Sequence, residues 1–457
     1  MHRTRNIIRL LLLLCLSGST ALVAQSLSRD LVDIDPTLNS PLSRFGLGNP
    51  LDQVHAAQAG MGTLRATYQD PYHLNIQNPA SLAGLASTSF EVGAYGRLIN
   101  LKDADGTAST NEGNLRYLAI GFPLRNPINL NYDLLENTWN AGMAFSLAPT
   151  TVVGYDLLLA DDDSDFGRTS NILRGNGGAY RFTWSNAVRI RSFSAGVNVN
   201  YNFGKITNSR VVIFNELEQS LSSELLEETS LGGFTFGYGL QYAYNFKESN
   251  DEGERVPNGK RIMVGLAGQF GGDVETESSN ILRRFSNSLQ FSLSDTLQFN
   301  EGEMGTVTLP ASITAGVAFE DFNRLYVGLE YELRNTSAYR NTAQPDELLD
   351  ANRLAFGIQY IPNFSSYNSY WKRVRYRAGV RLEDDARSLG GVQARRNAVT
   401  LGAGLPLRLP RNQISFIDFA VEAGQFGVPD VLDENYVQFT LGFSLNDNSW
   451  FFKRKLN

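Results

Sequence analysis

The sequence predicts an all-β protein: a transmembrane antiparallel β-barrel of about 14 strands with an N-terminal plug. Three observations carry this. Long stretches alternate between apolar and small or polar residues, an export leader opens the chain, and no later apolar run is long enough to cross a membrane as a helix.

The leader comes first. Arg3, Arg5 and Arg9 precede the run Leu10 to Leu14, small residues follow, and Ala24 before Gln25 is a plausible cleavage point. Residues 1–24 therefore read as a signal peptide. Cys15 is the only cysteine and leaves with it, so the mature chain has neither a disulfide framework nor a thiolate metal site. Leu14 is too bulky to precede a lipidated Cys15. The formal charge of −7 falls to about −10 once the three leader arginines are gone. That balance argues against nucleic acid as a partner. Nothing in the sequence calls for a cofactor or a metal.

Residues 25–86 show no alternation and are assigned to the plug. Gly46, Gly48, Gly60 and Gly62 permit tight, positive-φ backbone, and Asn78-Pro79-Ala80 reads as a turn. These seven residues are the candidate moving or gating parts.

Residues 87–457 are assigned to the barrel. In the stretch Phe234 to Tyr244, Phe234, Phe236, Tyr238, Leu240, Tyr242 and Tyr244 alternate with Thr235, Gly237, Gly239, Gln241 and Ala243. Successive strand side chains point to opposite faces, so the two sets separate. The same split recurs in strands expected near 87–101, 113–124, 138–149, 179–191, 192–206, 231–247, 260–272, 309–320, 323–335, 352–362, 372–384, 396–406, 412–424 and 435–446. A soluble sandwich alternates too, but this many apolar faces would need somewhere to be buried at once. Closure into a barrel with the apolar face toward lipid removes the difficulty. Short connections such as Arg191-Ser192 and Asp321-Phe322 read as periplasmic turns. The segments 150–178, 207–230, 273–308 and 334–351 read as long outer loops.

On the pieces Ser43-Arg44-Phe45-Gly46-Leu47-Gly48, Gly60-Met61-Gly62, Asn78-Pro79-Ala80 and Leu309-Pro310-Ala311 ahead of Gly316, the chain resembles the FadL/TodX family of outer-membrane transport proteins. The ending Trp450-Phe451-Phe452-Lys453-Arg454-Lys455 is similar to that of Bacteroidota relatives. The resemblance implies a fourteen-stranded barrel with an N-terminal hatch, and passive, TonB-independent uptake of hydrophobic or amphipathic molecules such as long-chain fatty acids. It also implies sideways release through a kink in the third strand, with Gly142 in the stretch Trp139 to Leu147 as the positional candidate. A FadL-like component of the type 9 secretion system instead binds secreted protein domains. The resemblance therefore leaves open a surface interaction protein, or a barrel that conducts nothing.

Several constellations remain. Arg373, Arg375, Arg377 and Arg381 share one face of a strand. On a lipid face each would cost roughly 2–4 kcal/mol near the midplane, so they should point into the lumen. There they could meet Glu330, Glu332, Asp418, Glu422 or Glu91, either as a ladder that attracts an anionic head group or as ion pairs that brace the plug. Leu217, Leu221 and Leu225 among Glu216, Glu218, Glu224, Glu227 and Glu228 predict an amphipathic loop helix over Glu216–Glu228. Asp161, Asp162, Asp163 and Asp165 lack the spacing of a calcium loop and read as a solvated acidic stretch. Tyr360, Tyr367, Tyr370 and Trp371, beside Lys372 and Arg373, suit a membrane interface and its anionic lipids. Catalysis is not expected: the mature chain keeps only His55 and His73, neither in a nucleophile or metal motif. The expected partners are outer-membrane lipid and a hydrophobic small molecule, or else a secreted protein.

Overall fold

The computed structural model describes residues 40–103, 106–125, 138–163, 167–214, 221–249, 255–286, 294–342, 347–409, 413–428 and 431–447. The leader, residues 25–39, Asp165, Glu216 to Glu218 and Trp450 to Lys455 lie outside these, as do the side chains of Asp161, Asp162 and Asp163.

Eighteen stranded segments join in one sheet that closes on itself. Two are the two-residue pieces Asn49–Pro50 and Arg340–Asn341, and two wall strands are interrupted once, so fourteen strands make the wall. They are β1 (Thr88–Asp103), β2 (Thr107–Pro123), β3 (Trp139–Asp163), β4 (Gly167–Ile190), β5 (Phe193–Phe214) and β6 (Ser222–Ser249). β7 is split into Arg255–Gln269 and Gly272–Phe285, and β8 into Ser294–Leu309 and Ser312–Asp321. Then come β9 (Leu325–Arg334), β10 (Ala351–Tyr360), β11 (Arg375–Leu389), β12 (Val392–Leu409), β13 (Gln413–Val428) and β14 (Leu432–Asp447). Neighbours are antiparallel, and β14 closes on β1 from Leu432↔Asp103 to Asp447↔Thr88. Below, "near" is the end where β1 starts and "far" the end where it finishes.

The alternation sorts as a membrane barrel requires. On β5, Phe193, Val197 and Tyr201 face outward and are exposed, while Ser194, Asn198, Asn200 and Asn202 are buried inside. On β6, Phe234, Phe236, Tyr242 and Tyr244 are exposed, and Thr235 and Gln241 are buried. A belt of exposed Phe, Tyr, Trp, Val and Leu suits lipid, and the closed ladder satisfies the backbone there.

Where outer loops are expected at 150–178, 207–230 and 273–308, most of the chain is strand. The strands overrun the belt on one side of the barrel and cross a crease as they do. The crease passes through Pro149–Thr151 on β3, where the register slips, and Gly177–Gly178 on β4. It continues through Gly204 on β5, Gly232–Gly233 on β6, Phe270–Gly271 in β7 and Pro310–Ala311 in β8. Ladder partners align these sites: Val152 faces Gly178, Ala179 faces Gly204, Phe203 faces Gly232, and Gly272 faces Leu309. Gly178 has φ +146°, and an added Cβ would collide with the carbonyl oxygen of Thr151. On β7 the outward chemistry changes at this line. The exposed Ile262, Val264 and Phe270 give way to exposed Asp273, Glu275 and Glu277. Elsewhere in the far sheet Leu158, Leu159, Phe299 and Met304 are exposed beside such polar residues.

Two further expectations are corrected. The described part of the proposed Glu216–Glu228 helix is strand from Ser222 onward, with Ser222, Glu224 and Leu226 buried. A leucine spacing of four fits a period of two as well as one of 3.6, and sheet pairing decides it. Gly142 is not a kink: it pairs regularly with Pro123 and Ala187. Its missing side chain instead admits the Leu82 carbonyl.

Ser40–Ser87 packs against the inner face of the wall and is buried along most of its length. Pro41 and Pro79 start short 3-10 turns, where a missing N–H costs nothing, and Asn78 caps the second by accepting from the Ala80 amide at 3.1 Å. Among the described residues no helix is long and apolar enough to cross a membrane.

Candidate functional site

The inner surface meets the N-terminal segment through charge on one side. Glu330 on β9 accepts from three consecutive backbone amides, Arg65 at 2.7 Å, Ala66 at 3.0 Å and Thr67 at 2.8 Å, and from the Thr67 hydroxyl at 2.7 Å. Glu91 on β1 accepts from the Leu74 amide at 2.8 Å and meets His55 Nδ1 at 2.5 Å. Glu332 takes Arg353 at 2.9 Å.

Three of the four ladder arginines point inward, each to a carboxylate. Arg375 meets Asp70 at 2.7 Å, Arg377 meets Asp418 at 2.5 Å, and Arg381 meets Glu422 at 2.6 Å and also Asp52. Arg373 is not on that face. The chain is still in the turn Trp371–Arg373, the guanidinium lies 5.3 Å over the Tyr370 ring, and Val374 turns inward before the strand begins. Sequence reasoning missed Asp52 and Asp70, although they are the only acids in residues 40–87. His73 sits between Asp70 at 3.2 Å and Asp418 at 2.8 Å. Burial alone would depress its imidazole, but the two carboxylates outweigh that and raise it to about 9.

The glycine and turn candidates all abut the wall or the cavity above it. Gly62 has φ +66° and donates its amide to Thr400 at 2.8 Å. Gly60 has an ordinary φ of −75°, contrary to the positive-φ expectation, and lies against Gly402. Gly46 and Gly48 do have positive φ, +65° and +103°. Asn78 reaches the Ala66 carbonyl at 2.5 Å, and Pro79 and Ala80 pack against Gly196 and Gly239.

The wall itself has a seam. β2 and β3 pair only from Leu118↔Leu147 to Pro123↔Gly142. Beyond that β2 stays with β1, and the edge of β3 takes residues 40–51 as its neighbour. Asn49 and Pro50 pair with Val152 and Thr151, the Leu51 amide donates to the Thr150 carbonyl at 2.8 Å, and the Ser40 amide to Gly154 at 3.0 Å. Residues 40–51 form a strap along the seam.

Above the segment, under the crease, lies a cavity of about 250 Å³. Leu47, Leu231, Leu309, Tyr339 and Leu348 line its apolar part, and Thr150 and Thr151 of the seam border it. A second, polar cavity of about 160 Å³ adjoins it through Gln53, Arg181 and Gln269. Arg181 was not singled out from the sequence. Its position on the Thr183 and Ser185 parity is the signal that could have found it. Among the described residues no group of three or more His, Cys, Asp and Glu is placed to hold a metal ion.

The family described as BamG matches residues 9–457 of the chain. No curated protein matches it by sequence. Among solved structures, the Pseudomonas putida toluene transporter TodX superposes with a TM-score of 0.55 at 16% identity, over 87% of this chain and 99% of its own. The CymD monoaromatic hydrocarbon channel gives 0.53 at 13%, over 86% and 97%. A Pseudomonas aeruginosa FadL homologue gives 0.52 at 12%, over 86% and 98%. The likeness shows a shared fold, a barrel of the FadL type. On the match over nearly its whole length, the chain belongs to the BamG family.

Proposed function

We propose that the barrel lies in the bacterial outer membrane and passively admits a small hydrophobic or amphipathic molecule, with the far sheet outside the cell. The molecule enters the cavity under the crease. Residues 40–87 act as the plug and block the direct route to the periplasm. The ligand leaves sideways into lipid through the β2–β3 seam when the strap, with Gly46 and Gly48 as its pivots, lets go. Gly60, Gly62 and the Asn78-Pro79-Ala80 turn hold the rest of the plug, and the inward charges brace it. The carrying observation is the apolar cavity bordering the one stretch, among the described strands, where neighbouring wall strands part company. TodX and CymD, a toluene transporter and a monoaromatic hydrocarbon channel, support the same reading.

The test is a strap locked to the seam. Asn49 and Val152 are ladder partners and the mature chain has no cysteine, so Asn49→Cys with Val152→Cys gives a single disulfide. Uptake of a hydrophobic reporter is expected to stop when the pair is oxidised and return on reduction. Undiminished uptake in the oxidised form refutes the lateral route.

A second reading rests on the far sheet, which exposes Asp273, Glu275 and Glu277 beside Phe299 and Met304. In it the sheet is a docking surface for a secreted protein. Purification from native outer membrane, followed by mass spectrometry, would bring down a stoichiometric protein partner under that reading and lipid alone under the first.

A further inference from the structure

At the near mouth, on the other side of the N-terminal segment from the cavity under the crease, lies a further cavity of about 260 Å³. Three arginines line it, Arg189, Arg191 and Arg261, with five amide or hydroxyl side chains and, among the described residues, no acid. Ladder pairing sets the lining on one stretch of wall from β4 to β7: Arg189 opposes Ser194, Ser194 opposes Gln241, and Asn245 opposes Arg261. Gln69 of the N-terminal segment forms the roof and accepts from Arg261 at 3.3 Å. Arg261 also meets Glu320 of β8 at 2.6 Å. Three guanidiniums against that one carboxylate give the cavity a net charge of +2. Arg191 is moreover held under strain. It is the first residue of the two-residue hairpin between Ile190 and Phe193, and its φ is +54°. Glycine or asparagine suits such a position, and an arginine there is uncommon. Another near-end turn, between Asp321 and Leu325, meets the same demand with Asn323 at φ +60°.

Like charges gathered in a half-enclosed space repel one another. A multivalent oxyanion relieves this best, because each guanidinium fork matches two of its oxygens. We propose that the near mouth is a binding site for a phosphate group, held between Arg189 and Arg191 on one side and Arg261 on the other. Ser194 and Gln241 supply neutral donors, and the Gln69 amide meets the anion from the roof. The bound phosphate thereby fastens the N-terminal segment to the wall from the near side. The site is independent of the transport reading: it lies across the segment from the apolar cavity, has no apolar pocket of its own, and its occupant is a clamp rather than cargo.

The experiment uses the mature chain in nanodiscs of neutral lipid, titrated by calorimetry with inorganic phosphate, glycerol phosphate and acetate at an ionic strength held constant with chloride. Wild type is expected to bind at least one of the two phosphates saturably and about tenfold or more tighter than acetate. Tighter inorganic phosphate marks the free ion as the occupant, and tighter glycerol phosphate marks an ester. The phosphate that binds should also slow hydrogen exchange at residues 68–70. Arg191 is exposed, and Arg191→Gly removes its charge and its strain together. That variant should melt no lower than wild type in the absence of phosphate, yet lose about tenfold in phosphate affinity, and with it the added exchange protection. Arg191→Lys keeps the charge without the fork and should fall between the two. Arg191→Gly that binds phosphate as wild type does overturns the site. So does wild type that binds neither phosphate more tightly than acetate. Arg191→Gly that melts lower without phosphate present makes Arg191 a structural residue and also overturns it.

Discussion

The two sides of the lumen wall are made differently. From β9 round to β14 and β1 the inner face is charged: Glu330, Arg353, Arg375, Arg377, Arg381, Asp418, Glu422 and Glu91 are all nearly fully buried. β9 and β10 are only 10 residues long, with no reach beyond the belt. From β4 to β6 the inner face is mostly neutral, with Thr183, Asn198, Asn200, Asn202, Thr235 and Gln241 around Arg181, and these strands run to 24, 22 and 28 residues. The N-terminal segment touches the charged side through ion pairs and carboxylate-to-amide bonds. It touches the neutral side through single amides, such as Asn198 to the Ile76 carbonyl at 2.9 Å and Gln241 to the Ala66 carbonyl at 2.9 Å. Charge-assisted bonds are roughly twice as strong as neutral ones. One side therefore grips the segment through charge, and the other holds it through neutral amides and through close backbone approach at Gly142, Gly196 and Gly239.

The largest expected effect tests the grip. Glu330→Gln removes the charge that three amides share, and should free the segment by about 3 kcal/mol. Hydrogen exchange at residues 65–67 would read this as lost protection, and unchanged protection would remove Glu330 from the gripping side. Next comes pH. The folded His73 imidazole is raised to about 9. Its charged contacts therefore contribute fully below the ordinary histidine pKa of about 6.5 and are lost as pH rises through about 9. The segment should loosen between pH 7 and 10 by up to about 3 kcal/mol, measured by exchange at residues 70–75. His73→Gln should flatten that dependence.

The crease is the third test. At Gly178 an added Cβ meets strain and a collision, so Gly178→Ala should cost about 1–3 kcal/mol. Gly106→Ala, with open space around its Cβ, should leave the melting temperature where it is. The smallest effect belongs to the neutral side. Asn200 shares a 2.9 Å bond with Thr183, and Asn200→Ala should cost about 1 kcal/mol. A loss there as large as at Glu330 would erase the distinction between the two sides.

The wall was legible because a period of two needs only local sequence. Phe193, Val197 and Tyr201 announce their face without any knowledge of partners. The crease was not, although every residue of it is visible. Gly177-Gly178, Gly204, Gly232-Gly233 and Pro310 look like scattered breakers until the register brings them into one line. The leucines at 217, 221 and 225 misled for a related reason, since a spacing of four satisfies both periodicities. Inward arginines could be inferred from the cost of placing them in lipid, but their partners could not. Arg375 finds Asp70 across 305 residues of chain, and no local pattern encodes that contact. Arg373 was misplaced because the alternation runs through a turn without a visible break.

Barrel closure carries a consequence for biogenesis. The wall seals when its last strand, β14, meets its first, β1. The carboxylates that hold residues 52–75 come from β1, β9 and β13, early and late in synthesis alike. Residues 52–75 therefore wait for strands made much later, and contacts so distant in sequence form slowly. During that delay Leu42, Met61, Leu64 and Leu74, all fully buried at the end, have nothing to cover them. The same stretch that completes the finished barrel is an uncovered apolar segment until the wall forms around it.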